Sequence, residues 1–285
     1  MSVWSSVGLA AAASIGVAAL IGYSGYRRAA SQAEQAYAAL LTAPGRSTRR
    51  FDPREVDDLP EIARRYFSHA IAPGTPVYSA AEVRMEGTFL LGDRRKFQTY
   101  EMTARQALRP PDQFVWIPTL RSGLLAISGS DAIASGKAWT RFWMLGVIPV
   151  ANDQSSPDLV RSAQFRAAVE GGLWLPTSLL PENDVVWSQT GPDRATVVLQ
   201  RFKPEPITLL LTLSKEGGVR EVVGQRWSNA NPNKRFCSQP FGGTILREGT
   251  FSGLTIPTQI SVGNHYGTPN YLPFFQAKLI WATYR

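Results

Sequence analysis

The chain is poor in the side chains that most reactions use. Its 285 residues hold one cysteine, Cys237, and two histidines, His69 and His265. A single cysteine excludes an internal disulfide and a cysteine-built zinc site. The two histidines have no further ligands at metal spacing, so no metal site is expected. His69 stands at the end of an expected helix, where the dipole favours a cation, and His265 lies in a turn composition that reads as exposed. There is no phosphate-cradling glycine loop, and Ser128-Gly129-Ser130 lacks the flanks of a nucleophile elbow. No cofactor is implied. Basic residues exceed acidic ones, 30 to 22 for a net charge of +8, yet no dense basic run follows Arg50. That distribution argues against a nucleic-acid partner and leaves anionic lipid as the natural attraction. At 44% hydrophobic and 18% charged the chain suits a globular fold.

What the chain does have begins near its N-terminus. Val3 to Tyr23 carries no charge. At ~1.5 Å per residue this helix would be about 31 Å long, the hydrocarbon thickness of a bilayer. Trp4 and Tyr23 stand at its two ends, where amphipathic rings favour the interface. A cleaved signal peptide wants positive charge before the apolar run, whereas Arg27 and Arg28 follow it. The reading is a retained single-pass anchor in the cell (inner) membrane. Arg27 and Arg28, with Arg46, Arg49 and Arg50, then place the rest on the cytoplasmic side.

Beyond the anchor, Ser24 to Leu41 continues as an alanine-rich helix that Pro44-Gly45 should end, and the charged stretch Arg46 to Asp58 reads as a linker. A second helix is expected after an Asp58 N-cap, with Ile62, Tyr66, Phe67 and Ala70 on its buried face. From Val77 the period changes to two. Strand-like runs follow at 96–108, 113–119, 123–128, 138–144, 185–189, 195–202, 207–214, 219–228, 243–252, 259–264 and 274–284, punctuated by glycine and proline turns. So many short strands in series imply an antiparallel sheet, curling toward a barrel or half-barrel.

One helix interrupts the strands. Ser156 is a good N-cap, Pro157 and Asp158 suit the first turn, and Gly171-Gly172 reads as its stop. Glu170 then falls in the last turn, where the helix dipole disfavours it. Arg166, Arg121 and Arg141 are available as partners. Paired carboxylates, for example Glu170 with Asp131, could do acid–base work, although a structural pin by one of these arginines is the stronger reading. Proline motifs recur at Trp116-Ile117-Pro118-Thr119, Val147-Ile148-Pro149-Val150, Trp174-Leu175-Pro176-Thr177, Thr255-Ile256-Pro257-Thr258 and Tyr271-Leu272-Pro273-Phe274. Each should mark a strand start, edge or bulge. If they converge, they would form an apolar mouth. Candidate ligand contacts are Trp174, Glu170, Trp116, Pro176 and Arg141, with Trp174 expected exposed in a loop.

Several blocks resemble an uncharacterised bacterial family whose members often carry N-terminal membrane segments. They are Leu59-Pro60 with Arg64-Arg65-Tyr66 and His69-Ala70, then Phe114-Val115-Trp116, Asp131-Ala132 and Gly146 to Pro149. The most specific is Glu170, Trp174, Pro176, Leu179-Leu180-Pro181 and Trp187. The resemblance covers roughly residues 58–285 and departs at Asn152, where the family usually has an acid. It implies no activity. At the level of architecture alone the pattern is similar to curved-sheet lipoprotein carriers.

The expected fold is mainly β (α+β): an N-terminal transmembrane helix, then a long curved antiparallel sheet with a helix packed on its concave face. The divisions are an anchor at 1–26, a juxtamembrane helix and linker at 27–57, and a β-rich domain at 58–285. The expected function is binding of an apolar or lipid-like ligand at the membrane. The alternatives are a carboxylate acid–base enzyme acting on an amphiphile, and a scaffold that recruits a membrane-protein partner.

Overall fold

The computed structural model describes residues 3–43, 48–154, 156–202 and 204–285, and for residues 3–15 the helix without its side chains. Helix α1 runs unbroken over Val3–Thr42, α2 over Glu61–Ala70 and α3 over Pro157–Trp174. Six strands precede α3: β1 (Ala81–Gly92), β2 (Phe97–Arg109), β3 (Gln113–Ser122), β4 (Leu125–Ala134), β5 (Lys137–Met144) and β6 (Ile148–Gln154). Seven follow it: β7 (Val185–Gln189), β8 (Arg194–Leu199), β9 (Ile207–Leu213), β10 (Val219–Ser228), β11 (Cys237–Phe251), β12 (Leu254–Asn264) and β13 (Leu272–Tyr284). All thirteen form one antiparallel sheet, in the order β6-β5-β4-β3-β2-β1-β13-β12-β11-β10-β9-β8-β7, which does not close. Apart from β1 with β13, every neighbouring pair is consecutive in the chain.

The sheet curls around α3. This one helix touches strands from β5, second in the order, to β9, eleventh. Nine strand spacings at ~4.8 Å span about 43 Å when flat, far more than a helix about 10 Å across can reach. The inner face therefore wraps the helix. Alternation along each strand sorts the side chains: Phe114 and Trp116 of β3 join the main core, while Val115 and Ile117 face outward to a smaller cluster.

That outer cluster is where α1 lies. Tyr37, Leu40 and Leu41 pack on Ala107, Val115 and Ala132. Arg109 fastens the end of the helix, donating from Nε to the Leu40 carbonyl and from Nη2 to that of Ala43, both at 2.9 Å. Arg141 Nη1 donates to Gln32 Oε1 at 2.7 Å, and the Tyr26 ring meets Trp143 edge-on at 5.8 Å. At Gly22 the helix backbone lies against the Val147 carbonyl, leaving no room for a side chain. Among the described residues no helix is long and apolar enough to cross a membrane. The expected span from Val3 to Tyr23 falls largely on side chains outside the described residues, as does the Pro44-Gly45 stop.

Helix α2 covers one end of the curl. Tyr66 and Phe67 stack against Trp187 of β7, with ring centroids 5.0 and 5.4 Å apart, and Tyr66 donates to the Gly172 carbonyl at 3.3 Å. The expected buried face, Ile62, Tyr66, Phe67 and Ala70, is buried.

Four local expectations are corrected. Asp58 does not cap α2, which starts directly after Pro60 without a side-chain cap. A capping box forms earlier instead, between Asp52 and Glu55 around a short 3-10 turn, and Arg54 pulls the Asp52 carboxyl down to about 2. The stretch expected as a linker sends Phe51 and Val56 into the core. Strand β6 was not expected, because its residues alternate in neither burial nor hydropathy. Finally, Gly171-Gly172 does not stop α3, which continues to Trp174.

Candidate functional site

Between α3 and the inner face of the sheet lies a cavity of about 540 Å³. Phe89, Trp116, Phe142, Phe165, Phe241 and Phe274 contribute aromatic rings to its wall. Their rings pack edge-on or tilted at 5.5–6.3 Å, with Phe89 on Trp116 and Phe274, and Phe165 on Phe241. Rings so braced hold an apolar wall open, because no single one can rotate inward without losing its neighbours. Four of the five proline motifs contribute a wall residue: Trp116, Val150, Trp174 and Phe274. The apolar neighbours of those prolines do converge, as the sequence suggested.

Beside the rings, and sharing Trp116 with them, a largely polar rung crosses the sheet. Gln106, Trp116, Asp131, Thr140 and Asp153 are cross-strand partners from β2 to β6. Helix α3 lays Arg166 and Glu170 over this rung. Arg166 donates from Nε to Glu170 Oε1 and from Nη1 to Asp131 Oδ2, each at 2.6 Å. Gln106 Nε2 donates to the other Glu170 oxygen, and Thr140 Oγ1 to Asp131 Oδ1 at 2.9 Å. The Arg166 guanidinium stacks over the Phe114 and Trp116 rings, 4.5 and 4.8 Å from their centroids. Burial opposes its charge, and Glu170 with Asp131 more than offsets that, holding its pKa above the ordinary arginine value. Both carboxylates are thus tied to one cation and to a neutral donor. Neither is left as a free base, which disfavours proton transfer at this site.

A second guanidinium in the cavity wall is arranged differently. Arg226 of β10 donates from Nε to Ser162 Oγ at 3.3 Å and lies 5.4 Å from the Phe241 ring centroid. It forms no ion pair among the described residues. Burial and the like charge of Arg166 push its pKa down, with Asp131 and Glu170 acting the other way. An enclosed cation without a carboxylate at hydrogen-bond distance leaves donors for a ligand's acceptor. Arg226 is not among the site residues expected from sequence, although β10 carries a signal for it. Val222 and Gly224 point inward on β10, so the same parity places Arg226 inside.

The other candidates are distributed as follows. Glu170, Asp131 and Trp116 line the cavity. Trp174 does so too, but as a fully buried helical residue at 0% exposure, which corrects its expected place in an exposed loop. Pro176 is buried at the start of a 3-10 turn and contributes no cavity wall. Arg141 faces outward, bonded to Gln32 of α1 and to Gln154, so it does not reach the cavity. Neither Arg121 nor Arg141 pairs with Glu170, and the intrahelical Arg166 does. His69 pairs with Glu248 at 3.2 Å rather than only completing its helix. His265 is half-buried, its ring Nε2 3.0 Å from the Ala230 carbonyl. Among the described residues no cluster of His, Cys, Asp and Glu could hold a metal ion.

The chain belongs to a family of unknown function (DUF6544), whose model matches residues 49–277. None of the curated proteins matches it. Among solved structures it is similar to a putative outer membrane lipoprotein-sorting protein domain from Vibrio parahaemolyticus. That likeness has 11% identity over 79% of this chain and 91% of the other, with a TM-score of 0.38. A LolA superfamily protein from Nitrosomonas europaea is similar at 8% identity over 79% and 92%, with a TM-score of 0.40. A DUF1329 family protein from Desulfovibrio piger is similar at 11% identity over 82% and 94%, with a TM-score of 0.33. Likenesses this distant leave the chemistry of the chain to its own residues.

Proposed function

We propose that this family member binds one amphiphilic molecule, with an apolar chain in the cavity under α3 and a polar head at Arg226. The observation that carries the reading is the cavity itself. A helix packed on a curved sheet ordinarily closes on it without a gap, yet here about 540 Å³ stays open behind braced aromatic rings. Such a volume falls in the range of small-ligand sites. A filled core would instead have favoured a scaffold. Arg226 supports a ligand with an acidic or strongly accepting head, because hydrogen bonds to a charged group are the strong ones.

In the same reading the N-terminal apolar segment is a single-pass anchor in the cell (inner) membrane. The helix continuing from it and the 58–285 domain then stand on the cytoplasmic side, by the flanking Arg27 and Arg28. The full chain, purified in detergent and measured by native mass spectrometry, tests the binding. A stoichiometric amphiphile, lost on denaturation and absent from Ala230→Trp, is the expected result. Ala230 lines the cavity wall, so a large ring there occupies the space. A clean, ligand-free mass from membranes of several hosts refutes the proposal.

A further inference from the structure

The antiparallel order puts three neighbouring turns, β1–β2, β3–β4 and β5–β6, at one end of the sheet. Helix α1 leaves the sheet at this same end, where Gly22 touches Val147 in the third turn. Here apolar side chains stand in the open. Leu91 and Phe97 flank the first turn, Leu124 and Leu125 the second, Leu145 and Ile148 the third. Leu124 is 98% exposed at the tip of a two-residue turn, a position that polar turn formers ordinarily take. On α1 itself Val17, Leu20, Ile21 and Tyr23 are exposed as well. Of the sixteen large apolar side chains exposed among the described residues, these make ten. Single exposed leucines need no explanation; ten gathered at one end of an elongated sheet do.

Cations surround them. Arg94, Arg95 and Lys96 occupy the first turn, Arg27 and Arg28 lie on α1, and all five are exposed. Across the mouth of the cavity, Lys234 and Arg235 sit exposed in the loop between β10 and β11. That loop is near the first turn. The Asp93 carboxyl is lowered first by the Arg95 and Lys96 amides, and the charges of Arg95 and Lys234 help.

We infer that this end of the sheet docks on an anionic phospholipid surface, with the turn leucines in the acyl boundary and the arginines at phosphate level. The inference rests on the membrane reading of the N-terminal segment and is independent of what fills the cavity. A protein partner fits the pattern less well. The apolar groups are separate protruding tips rather than one face, whereas a protein interface has a contiguous, fully buried core. A bilayer accepts separate apolar wedges, and its negative surface attracts each basic residue beside them. Leu91, Val150 and Phe236 line the cavity at this end, while α2 covers the opposite one. Docking therefore turns the cavity mouth to the lipid.

The test uses the full chain in liposomes of phosphatidylglycerol and phosphatidylcholine, with Cys237→Ser removing the native thiol. An environment-sensitive dye is placed at Leu124→Cys, at Phe97→Cys, or at Glu216→Cys in the opposite turn between β9 and β10. Lipids carrying a nitroxide on the acyl chain should abolish most of the emission at 124 and 97 and leave 216 unchanged. The emission at 124 and 97 should shift to the blue, and the effect should weaken when phosphatidylglycerol is replaced by phosphatidylcholine. Inserted protein whose dye at 124 and 97 is no more quenched than at 216 overturns the docking alone. A blue shift that grows with protein density but is not quenched indicates a second copy on this surface, and also overturns it. Alkaline carbonate treatment reports on the anchor separately: stripping of the chain sinks the span reading, whatever the dye shows.

Discussion

Arg166 and Glu170, one helical turn apart on α3, meet Nε to Oε1 at 2.6 Å, and the same guanidinium reaches Asp131 on β4. The i,i+4 order with arginine first is the weaker one for an isolated helix. What makes the pair here is its burial, since all three side chains are at least four-fifths enclosed. Arg166→Met leaves two enclosed carboxylates facing each other and should cost about 3–5 kcal/mol. Glu170→Gln keeps the Arg166–Asp131 pair and should cost about 1–3 kcal/mol. Urea unfolding of both variants measures the difference. Equal losses would mean that Arg166 is not the centre of the cluster.

Arg226 should behave in the opposite way. Because its surroundings already disfavour its charge, Arg226→Met should leave the unfolding midpoint unchanged or raise it slightly. Binding should change instead. Affinity for a fatty acid or phosphate-bearing amphiphile should fall about ten- to a hundredfold, the worth of one or two charge-assisted hydrogen bonds. A neutral alcohol of the same chain length should bind both forms alike. Competition with a fluorescent fatty acid gives both affinities, and a uniform loss across acidic and neutral ligands would remove Arg226 from the head-group site.

Gly22→Leu should pry α1 off the third turn. Any side chain at Gly22 runs into the Val147 carbonyl, which is backbone and cannot swing aside. The Tyr26–Trp143 contact one turn further on should open with it. Trypsin then ought to cut after Arg27 or Arg28 faster than in the native chain, while the β domain stays resistant. Unchanged cleavage would show that the helix is held from Ala29 onward and not at Gly22.

Four tyrosines give the fold an alkaline limit. Tyr37, Tyr66, Tyr266 and Tyr284 are all raised above the ordinary tyrosine value of about 10, first by burial and then by Glu82, Glu248, Glu221 and Tyr78 respectively. A raised folded pKa stabilises the fold fully below the unfolded value, and that contribution is lost as pH climbs above it. Absorbance at the phenolate band should therefore show only part of the nine tyrosines titrating near pH ~10. The rest should appear in one step with loss of near-ultraviolet circular dichroism. A single smooth wave with the fold intact would contradict these burials.

Much of this architecture was legible in the residues, where periodicity speaks. Val83 and Met85 alternate with Arg84 and Glu86 because one face of β1 is buried, and strands so patterned are readable. The end of β4 and the starts of β11 and β12 nonetheless lie five or six residues outside the expected runs. Strand β6 was invisible for the converse reason: at the edge of the sheet it buries neither face, so nothing forces its sequence to alternate. Gly171-Gly172 misled because two glycines after an apolar stripe resemble a helix stop. Both are ordinary helical residues whose missing side chains make room for Pro110 and Leu179. Trp174 followed them into error. Arg166 was readable from its spacing as one of three possible partners of Glu170, whereas the approach of β4 and β10 to the same helix depends on a curl that no local pattern encodes.

Strand β13 is last in chain order and seventh of thirteen in space. Both halves of the molecule are meanders that can zip locally, but within the sheet they are joined only where β1 meets β13, from Ala81 with Tyr284 to Phe89 with Phe275. During synthesis β1 is made early and must wait for a partner about two hundred residues away, its edge open to other chains meanwhile. Damage follows the same geography. Losing β7 would shorten the sheet at its rim, whereas losing β13 would divide it through the middle and take Phe274 and Phe275 out of the cavity wall.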